Sequence, residues 1–440
     1  MRVFRQERVS GPSSCVFSGL DETLVYLGDG DRLISALRKP AKRAFRIHPG
    51  RGNPSPSWGE LMGTDWSPSG RFHDETLDPG CFLDYHSGCI YPQDAASQIP
   101  VLLLNPQPGE LIMDACAAPG SKTTQIAQAM DNRGLLIACD ASPSRRRPLI
   151  ENLARQGVYN TIVSKLLPSV LSKQHPELVD ALLLDLPCSG HLPGKHKNVL
   201  RLARKQHELL DVCSRLVRPG GRMVYSTCSP CIEENEWVVS DFLKANTEWV
   251  IEKTVLPGTD GDLMGLGGVR TWPHRQGTEP FYACLLIKGG KGGDRPPDGK
   301  LPNRLSLSCL GPDFRAGLWA TGENLWMASP EAAACPLSAD MRGLYIGKVA
   351  SGRRLGSETA LHELKLHPWG AQALIENGAT SLTIPHEQAC LLWSGASMPF
   401  VEEGAFLVRT EGGAPLGLLH ASGGQARLKM PSRHYRRGVR

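Results

Sequence analysis

A short apolar run that empties into a turn of small residues and passes straight into a helix constrains this chain more than any other stretch. Leu111 to Asp114 is followed by Ala115-Cys116-Ala117-Ala118-Pro119-Gly120-Ser121-Lys122, and Thr123 to Met130 then has helix-forming composition. Strand, bulk-free turn and helix in that order open a βαβ unit, with the helix N-terminus presenting N–H groups to whatever fills the turn. A second apolar run, Leu135 to Cys139, closes the unit and ends in Asp140, the position from which a carboxylate meets ribose hydroxyls in dinucleotide folds. The alternation continues. Ala181 to Leu184, Arg222 to Cys228 and Phe281 to Lys288 read as strands; helices are expected near Ser121, Ser142-Pro143 and Glu233 and over Leu202 to Val217, with Arg218-Pro219-Gly220-Gly221 as an exit turn. The chain therefore reads as α/β, with a Rossmann-like sheet carrying helices on both faces.

The turn after Leu111–Asp114 has one glycine, which is not the Gly-x-Gly-x-x-Gly pattern that cradles a pyrophosphate. A ligand without a pyrophosphate, such as S-adenosylmethionine, suits it better. Two further strands end in cysteines, in Asp185-Leu186-Pro187-Cys188-Ser189-Gly190 and Tyr225-Ser226-Thr227-Cys228-Ser229. An open sheet presents ligand-facing groups at such ends. Two thiols there suggest covalent chemistry, although a free cysteine by itself is usually a small packing residue. Cys116 and Cys139 are read as packing residues of that kind. Cys228-x-x-Cys231 also fits a redox pair or half a zinc site, but no second such pair and no nearby pair of histidines accompanies it, so no metal is expected. Arg145, Arg146 and Arg147 crowd the first turn of one expected helix, where the macrodipole disfavours cations, so they are read as facing either a ligand or RNA, or simply solvent.

These motifs, followed by Glu233-Glu234-Asn235-Glu236, preceded by Tyr91-Pro92-Gln93-Asp94-Ala95-Ala96-Ser97-Gln98 and trailed by Pro273-His274-Arg275-Gln276-Gly277-Thr278-Glu279-Pro280-Phe281, resemble the Sun-type RNA cytosine-5 methyltransferases. The resemblance spans roughly residues 85–288 in the family's motif order. Weaker likeness in Thr64-Asp65-Trp66 and the basic terminus points to the RsmF-like ribosomal RNA branch. The resemblance implies that Cys228 is the attacking thiol, that Cys188 assists product release, and that Asp185 orients the base and shares its N3 proton. It also implies that Cys116, Ala117, Ala118, Pro119, Gly120, Ser121 and Lys122 surround the methionine part of S-adenosylmethionine, with Asp140 on the ribose and Arg145 and Asp185 close by. Three positions depart from the family. His48 replaces the asparagine of a Phe-Arg-x-Asn mark, Ser164-Lys165 stands where an adenine-facing aspartate is usual, and His191 to Asn198 replaces a Gly-Thr-rich loop.

At 440 residues the chain exceeds one ordinary core, and its composition divides it. The resemblance implies an N-terminal RNA-contacting module (1–84), the methyltransferase domain (85–288) and a β-rich, PUA-like RNA-binding region (304–440), and composition marks a Gly/Pro-rich linker (289–303) between the last two. In the last region Leu344 to Val349, Ala405 to Arg409 and Leu416 to His420 read as strands. Net charge is only +5, but Arg427 to Arg440 holds six Lys/Arg and His191 to Gln206 five, neither with an acid. Either run fits a solvated face or a phosphate-contacting surface. Thirteen cysteines scattered through a long chain do not make a disulfide framework, and no apolar run suffices to span a bilayer. The expectation is thus a cytoplasmic, monomeric enzyme acting on ribosomal RNA, with transfer RNA or a non-catalytic ribosome-assembly role as alternatives, and DNA disfavoured by the motif order.

Overall fold

The computed structural model describes residues 20–190, 198–291, 304–305, 317–321, 323–349 and 364–429. Most of the departing loop after Cys188 (191–197), most of the linker (292–303) and the basic terminus from 430 onward lie outside the described residues. Strands β1 (Ala44–Ile47), β2 (Met62–Gly63), β3 (Gly70–Phe72) and β4 (Ile90–Pro92) form an N-terminal antiparallel sheet in the order β2-β3-β1-β4. The central strands are β5 (Leu111–Asp114), β6 (Leu135–Cys139), β7 (Thr161–Ser164), β8 (Val179–Asp185), β9 (Val217–Thr227), β10 (Trp249–Glu252), β11 (Asp260–Gly261), β12 (Val269–Thr271) and β13 (Phe281–Lys288). The C-terminal region adds β14 (Arg304–Leu305), β15 (Gly317–Thr321), β16 (Asn324–Ala328), β17 (Ala339–Arg342), β18 (Leu344–Val349), β19 (Leu364–Leu366), β20 (Leu382–Ile384), β21 (Met398–Pro399), β22 (Gly404–Thr410), β23 (Pro415–Ser422) and β24 (Gln425–Leu428).

Strands β5 to β9 are parallel and ordered β9-β8-β5-β6-β7, and β13 runs antiparallel beside β9 with Tyr282 opposite Thr227. The chain builds outward from β5 to β7, then returns to build β8 and β9 on the other side. That reversal opens a crevice beyond the carboxyl ends of β5 and β8, where open α/β sheets bind ligands. Both faces of the sheet are covered, so neighbours along one strand enter different cores. Met113, Ile137, Leu182 and Leu184 pack in one cluster, and Ile112, Leu136, Ala138 and Leu183 in the other.

Boundaries differ locally from the sequence expectation. The helix expected over Leu202 to Val217 is Val199–Ser214, and Arg218-Pro219-Gly220-Gly221, read as a turn, is absorbed into β9 with a register shift opposite Val179 and Ala181. The helix expected from Glu233 is preceded by a 3-10 turn, Ile232–Glu234, and begins at Glu236, because Asn235 is held in a non-helical backbone while its side chain caps two loop carbonyls.

Two buried arginines join the N-terminal sheet to the rest. Arg46, in the Phe-Arg motif, is 2% exposed and donates to Gln128 Oε1 (2.9 Å), Thr124 Oγ1 (2.9 Å), the Ser121 carbonyl (3.1 Å) and Gln93 Oε1. It is therefore a tie to the helix Ser121–Ala129. His48, the departure from the family mark, donates its backbone N–H to Cys89 O, while its ring Nδ1 accepts from Gly50 N; burial holds its pKa well below the ordinary value. Arg51, fully buried, donates to the carbonyls of Ser87 (2.7 Å) and Arg155 (2.6 Å) and to both carboxylate oxygens of Glu376. One side chain thus joins the N-terminal region, the end of the helix Pro143–Arg155 and the C-terminal helix Pro368–Glu376.

The C-terminal region also enters the central sheet. β17 pairs antiparallel with β7, Ala339 opposite Ser164, and becomes its outer strand. Sequence reading, which saw a linker ahead of a separate region, gave no sign of this.

Candidate functional site

The two cysteine-bearing strand ends meet. β8 and β9 are parallel neighbours with Asp185 opposite Ser226, so the segments that leave them run side by side. Cys188 Sγ and Cys228 Sγ lie 3.2 Å apart, both partly accessible. The hydrogen bond shared with Cys228, together with burial and the nearby Cys228 and Glu234 charges, raises the pKa of Cys188 well above the ordinary thiol value.

Asp185 closes one side of this site. Its Oδ1 accepts from Ser226 Oγ (2.8 Å) and its Oδ2 from Lys122 Nζ (2.8 Å), and Lys122 also donates to Ser97 Oγ (2.9 Å). Burial favours the neutral amine of Lys122, but the charge of Asp185 and the bond to it, with Asp114 and Cys228 nearby, prevail and raise its pKa. The pair is ionic, and it fixes Asp185 on the cysteine side of the crevice. Asp114, at the end of β5, accepts from Thr123 Oγ1 (2.7 Å), and burial raises its pKa to about 7.

The small-residue turn adjoins this pair. Gly120 sits at φ 109° where the turn enters the helix, a conformation that favours glycine, and a Cβ there would stand 3.1 Å from Leu149 Cδ1 and press on that side chain. Asp140, 6% exposed at the end of β6, accepts from Ser142 N (2.8 Å) and lies 3.4 Å from Arg145 Nη1, while Arg145 Nη2 donates to Ala118 O (2.6 Å). Arg145 thereby binds the turn to Asp140. Cys116, whose thiol is raised well above the usual range chiefly by burial, is held as an unreactive thiol, and Cys139 is pushed up to about 12 in the same way. Cys231 packs against Leu20, Leu27, Leu33 and Trp272.

The three crowded arginines separate. Arg145 faces the turn, Arg146 donates to Asp340 Oδ2 (2.6 Å) on β17, and Arg147 pairs at the surface with Glu151 (3.5 Å). Lys165, in the Ser164-Lys165 departure, also lies 3.5 Å from Asp340. The carboxylate at this corner is thus brought from the C-terminal region. Sequence reasoning missed Ser97, Glu234 and Asp340. The first two lie within motifs quoted for the resemblance, but nothing in their spacing assigns them a contact, and Asp340 had no local signal at all.

A parallel sheet with this strand order, one antiparallel strand beside β9 and a ligand crevice at its reversal defines the class of Rossmann-like methyltransferases. A family model described as 16S rRNA methyltransferase RsmB/F matches residues 101–287. Ribosomal RNA small subunit methyltransferase F of Enterobacter sp. (strain 638) is 30% identical over 453 residues, covering 93% of this chain and 92% of that one. The protein of the same name from Salmonella typhi is 32% identical over 382 residues, covering 78% and 79%. A solved methyltransferase homolog from Pyrococcus horikoshii is 28% identical, with a TM-score of 0.54 over 61% of this chain and 93% of its own. The chain belongs to the RsmB/F family of 16S rRNA methyltransferases.

Proposed function

We propose that this protein transfers a methyl group from S-adenosylmethionine to C5 of a cytosine in ribosomal RNA, through a covalent bond between Cys228 and C6 of the base. The observation that carries this reading is the pair of thiols 3.2 Å apart beside a carboxylate fixed by Lys122 and Ser226. C5 of cytosine is a poor nucleophile. Addition of the Cys228 sulfur to C6 makes the ring an enamine whose C5 can take a methyl group. A proton that N3 takes up from solvent during this addition is shared with the Asp185 carboxylate, which keeps negative charge from building on the ring. Once C5 carries the methyl group, a base removes its proton, the C5–C6 double bond re-forms and the Cys228 sulfur leaves. Cys188, against that sulfur, assists this release.

The residues around the turn suit S-adenosylmethionine, which supplies an electrophilic methyl group on a sulfonium. Two carboxylates, Asp140 and Asp185, flank a turn with no phosphate cradle, and Asp140 keeps lone pairs for ribose hydroxyls beyond those that meet Ser142 and Arg145. The segment Cys116–Lys122, Asp140, Arg145 and Asp185 would hold it. Asp140→Ala is expected to remove charge-assisted hydrogen bonds of roughly 1.5–3 kcal/mol, which is about a 10- to 150-fold rise in Kd for S-adenosylmethionine. Calorimetry that finds the affinity unchanged takes Asp140 out of the site.

RNA binding draws support from the C-terminal region. Lys348 of β18 stands directly opposite Lys365 of β19, an arrangement that costs stability unless an anion lies between them. With Lys429, Tyr345 and His367 they line a recess of about 370 Å³ that has no carboxylate among its described residues. Cations beside aromatic faces suit a phosphate backbone and stacked bases. The reaction is tested by incubating the protein with 16S rRNA and methyl-labelled S-adenosylmethionine, then digesting the RNA to nucleosides. Label in 5-methylcytidine is expected, and label in any other nucleoside overturns the proposal.

A further inference from the structure

We propose that Glu234 is a positioning residue that sets the relation between the two cysteine segments, and that it serves release of the methylated RNA rather than the first attack. This rests on the reading of Cys228 as the nucleophile and Cys188 as the release thiol. Glu234 is 0% exposed, and its carboxylate accepts hydrogen bonds from four neutral donors. Oε1 takes Ser189 N (3.0 Å) and Gln206 Nε2 (2.9 Å), and Oε2 takes Ser229 Oγ (2.6 Å) and the Ser189 hydroxyl. Ser189 follows Cys188 and Ser229 follows Cys228, and the two hydroxyls lie 3.2 Å apart. Gln206 also donates to Pro187 O (3.0 Å), which precedes Cys188. Every partner is therefore within two residues of a site thiol or holds such a residue.

The carboxylate is itself held. The Tyr225 hydroxyl donates to Glu234 O, and Asn235 Nδ2 donates to the carbonyls of Ser229 (2.8 Å) and Cys231 (2.7 Å). Burying a carboxylate among neutral groups is costly, and four donors converging on it are what offset that cost. Glutamine has the same shape but loses the charge, and its N–H₂ turned toward the Ser189 and Ser229 hydroxyls would make both accept instead of donate, reversing the bonds that join the two segments. Asp185, by contrast, is fixed by Lys122 and Ser226 and shares no bond with Glu234. Loss of the Glu234 carboxylate therefore disturbs the thiols relative to each other while leaving base orientation standing. Its charge also helps to keep Cys188 protonated, after the Cys228 hydrogen bond and burial.

The test compares Glu234→Gln with Cys188→Ala on unmodified RNA, following the first turnover by rapid quench, steady-state turnover, and covalent protein–RNA adduct on a denaturing gel. A displacement of about 1 Å between reacting groups costs about 10²-fold. Steady-state turnover of Glu234→Gln should fall on that scale, the first turnover by less than about threefold, and adduct should accumulate as it does in Cys188→Ala. If Glu234→Gln does not fold, the Ser189→Ala/Ser229→Ala pair, which removes two of the donors, must give the same pattern. Adduct in Cys188→Ala with first and steady-state rates equally reduced in Glu234→Gln would make Glu234 a stabilising residue only and overturn the proposal. Absence of adduct in Cys188→Ala would instead remove the release role of Cys188, and this proposal with it.

Discussion

Cys228→Ala is expected to abolish methyl transfer and, with RNA containing 5-fluorocytidine, to leave no covalent adduct. Fluorine at C5 cannot be removed as a proton is, so an enzyme that attacks C6 and methylates C5 stays bound to such RNA. Removing the nucleophile of a covalent mechanism costs at least about 10⁴-fold, because the remaining groups only bind and orient. Cys188→Ala should behave differently, retaining the first methyl transfer and trapping protein on ordinary RNA as a slowly migrating band. The two thiols are 3.2 Å apart, so position alone does not separate their roles, and the contrast between the two variants is what does. An adduct that persists in Cys228→Ala and vanishes in Cys188→Ala would exchange the two assignments.

The second large effect is on stability. Arg51→Ala is expected to destabilise the fold by about 3–5 kcal/mol, the range for breaking a buried ion pair by deleting one partner. The side chain is fully buried, and its loss strands the Glu376 carboxylate together with the carbonyls of Ser87 and Arg155. Because these partners belong to three separate stretches of chain, the N-terminal sheet and the C-terminal helix should loosen together in urea denaturation followed by hydrogen exchange. Arg147→Ala, which breaks an exposed pair with Glu151, is the control and should leave the midpoint in place. A loss no larger in Arg51→Ala than in that control would show that the three stretches are joined by packing alone.

Much of the central sheet was legible because its strands are apolar on both faces and are bounded by small residues or acids. Leu111–Asp114 and Leu135–Cys139 form strands with the bounds expected from their apolar runs, and Asp185, Cys188 and Cys228 meet at one crevice because their motifs sit at the ends of adjacent parallel strands. What stayed hidden depends on contacts between distant segments. Arg46 has the look of a surface cation in a strand, and only the folded partners, Gln93, Gln128 and Thr124, turn it inward. The antiparallel pairing of β17 with β7 joins residues about 175 positions apart, a distance over which neither periodicity nor turn chemistry carries information. Lys122 was legible as part of the turn, but its ion pair with Asp185 was not, since one residue opens the helix Ser121–Ala129 and the other ends β8, 63 positions on.

That outer strand has a bearing on how the molecule is made. A ribosome delivers β5 to β13 before it delivers residues 339–342, so the edge of β7 is complete in sequence yet lacks its neighbour for an interval of synthesis. An uncovered strand edge is a template for any other chain with free backbone groups. During that interval the protein's own later residues compete with other nascent chains for the β7 edge. The arrival of Ala339–Arg342, secured by Asp340 between Arg146 and Lys165, ends the competition by placing the matching strand where strangers would otherwise add.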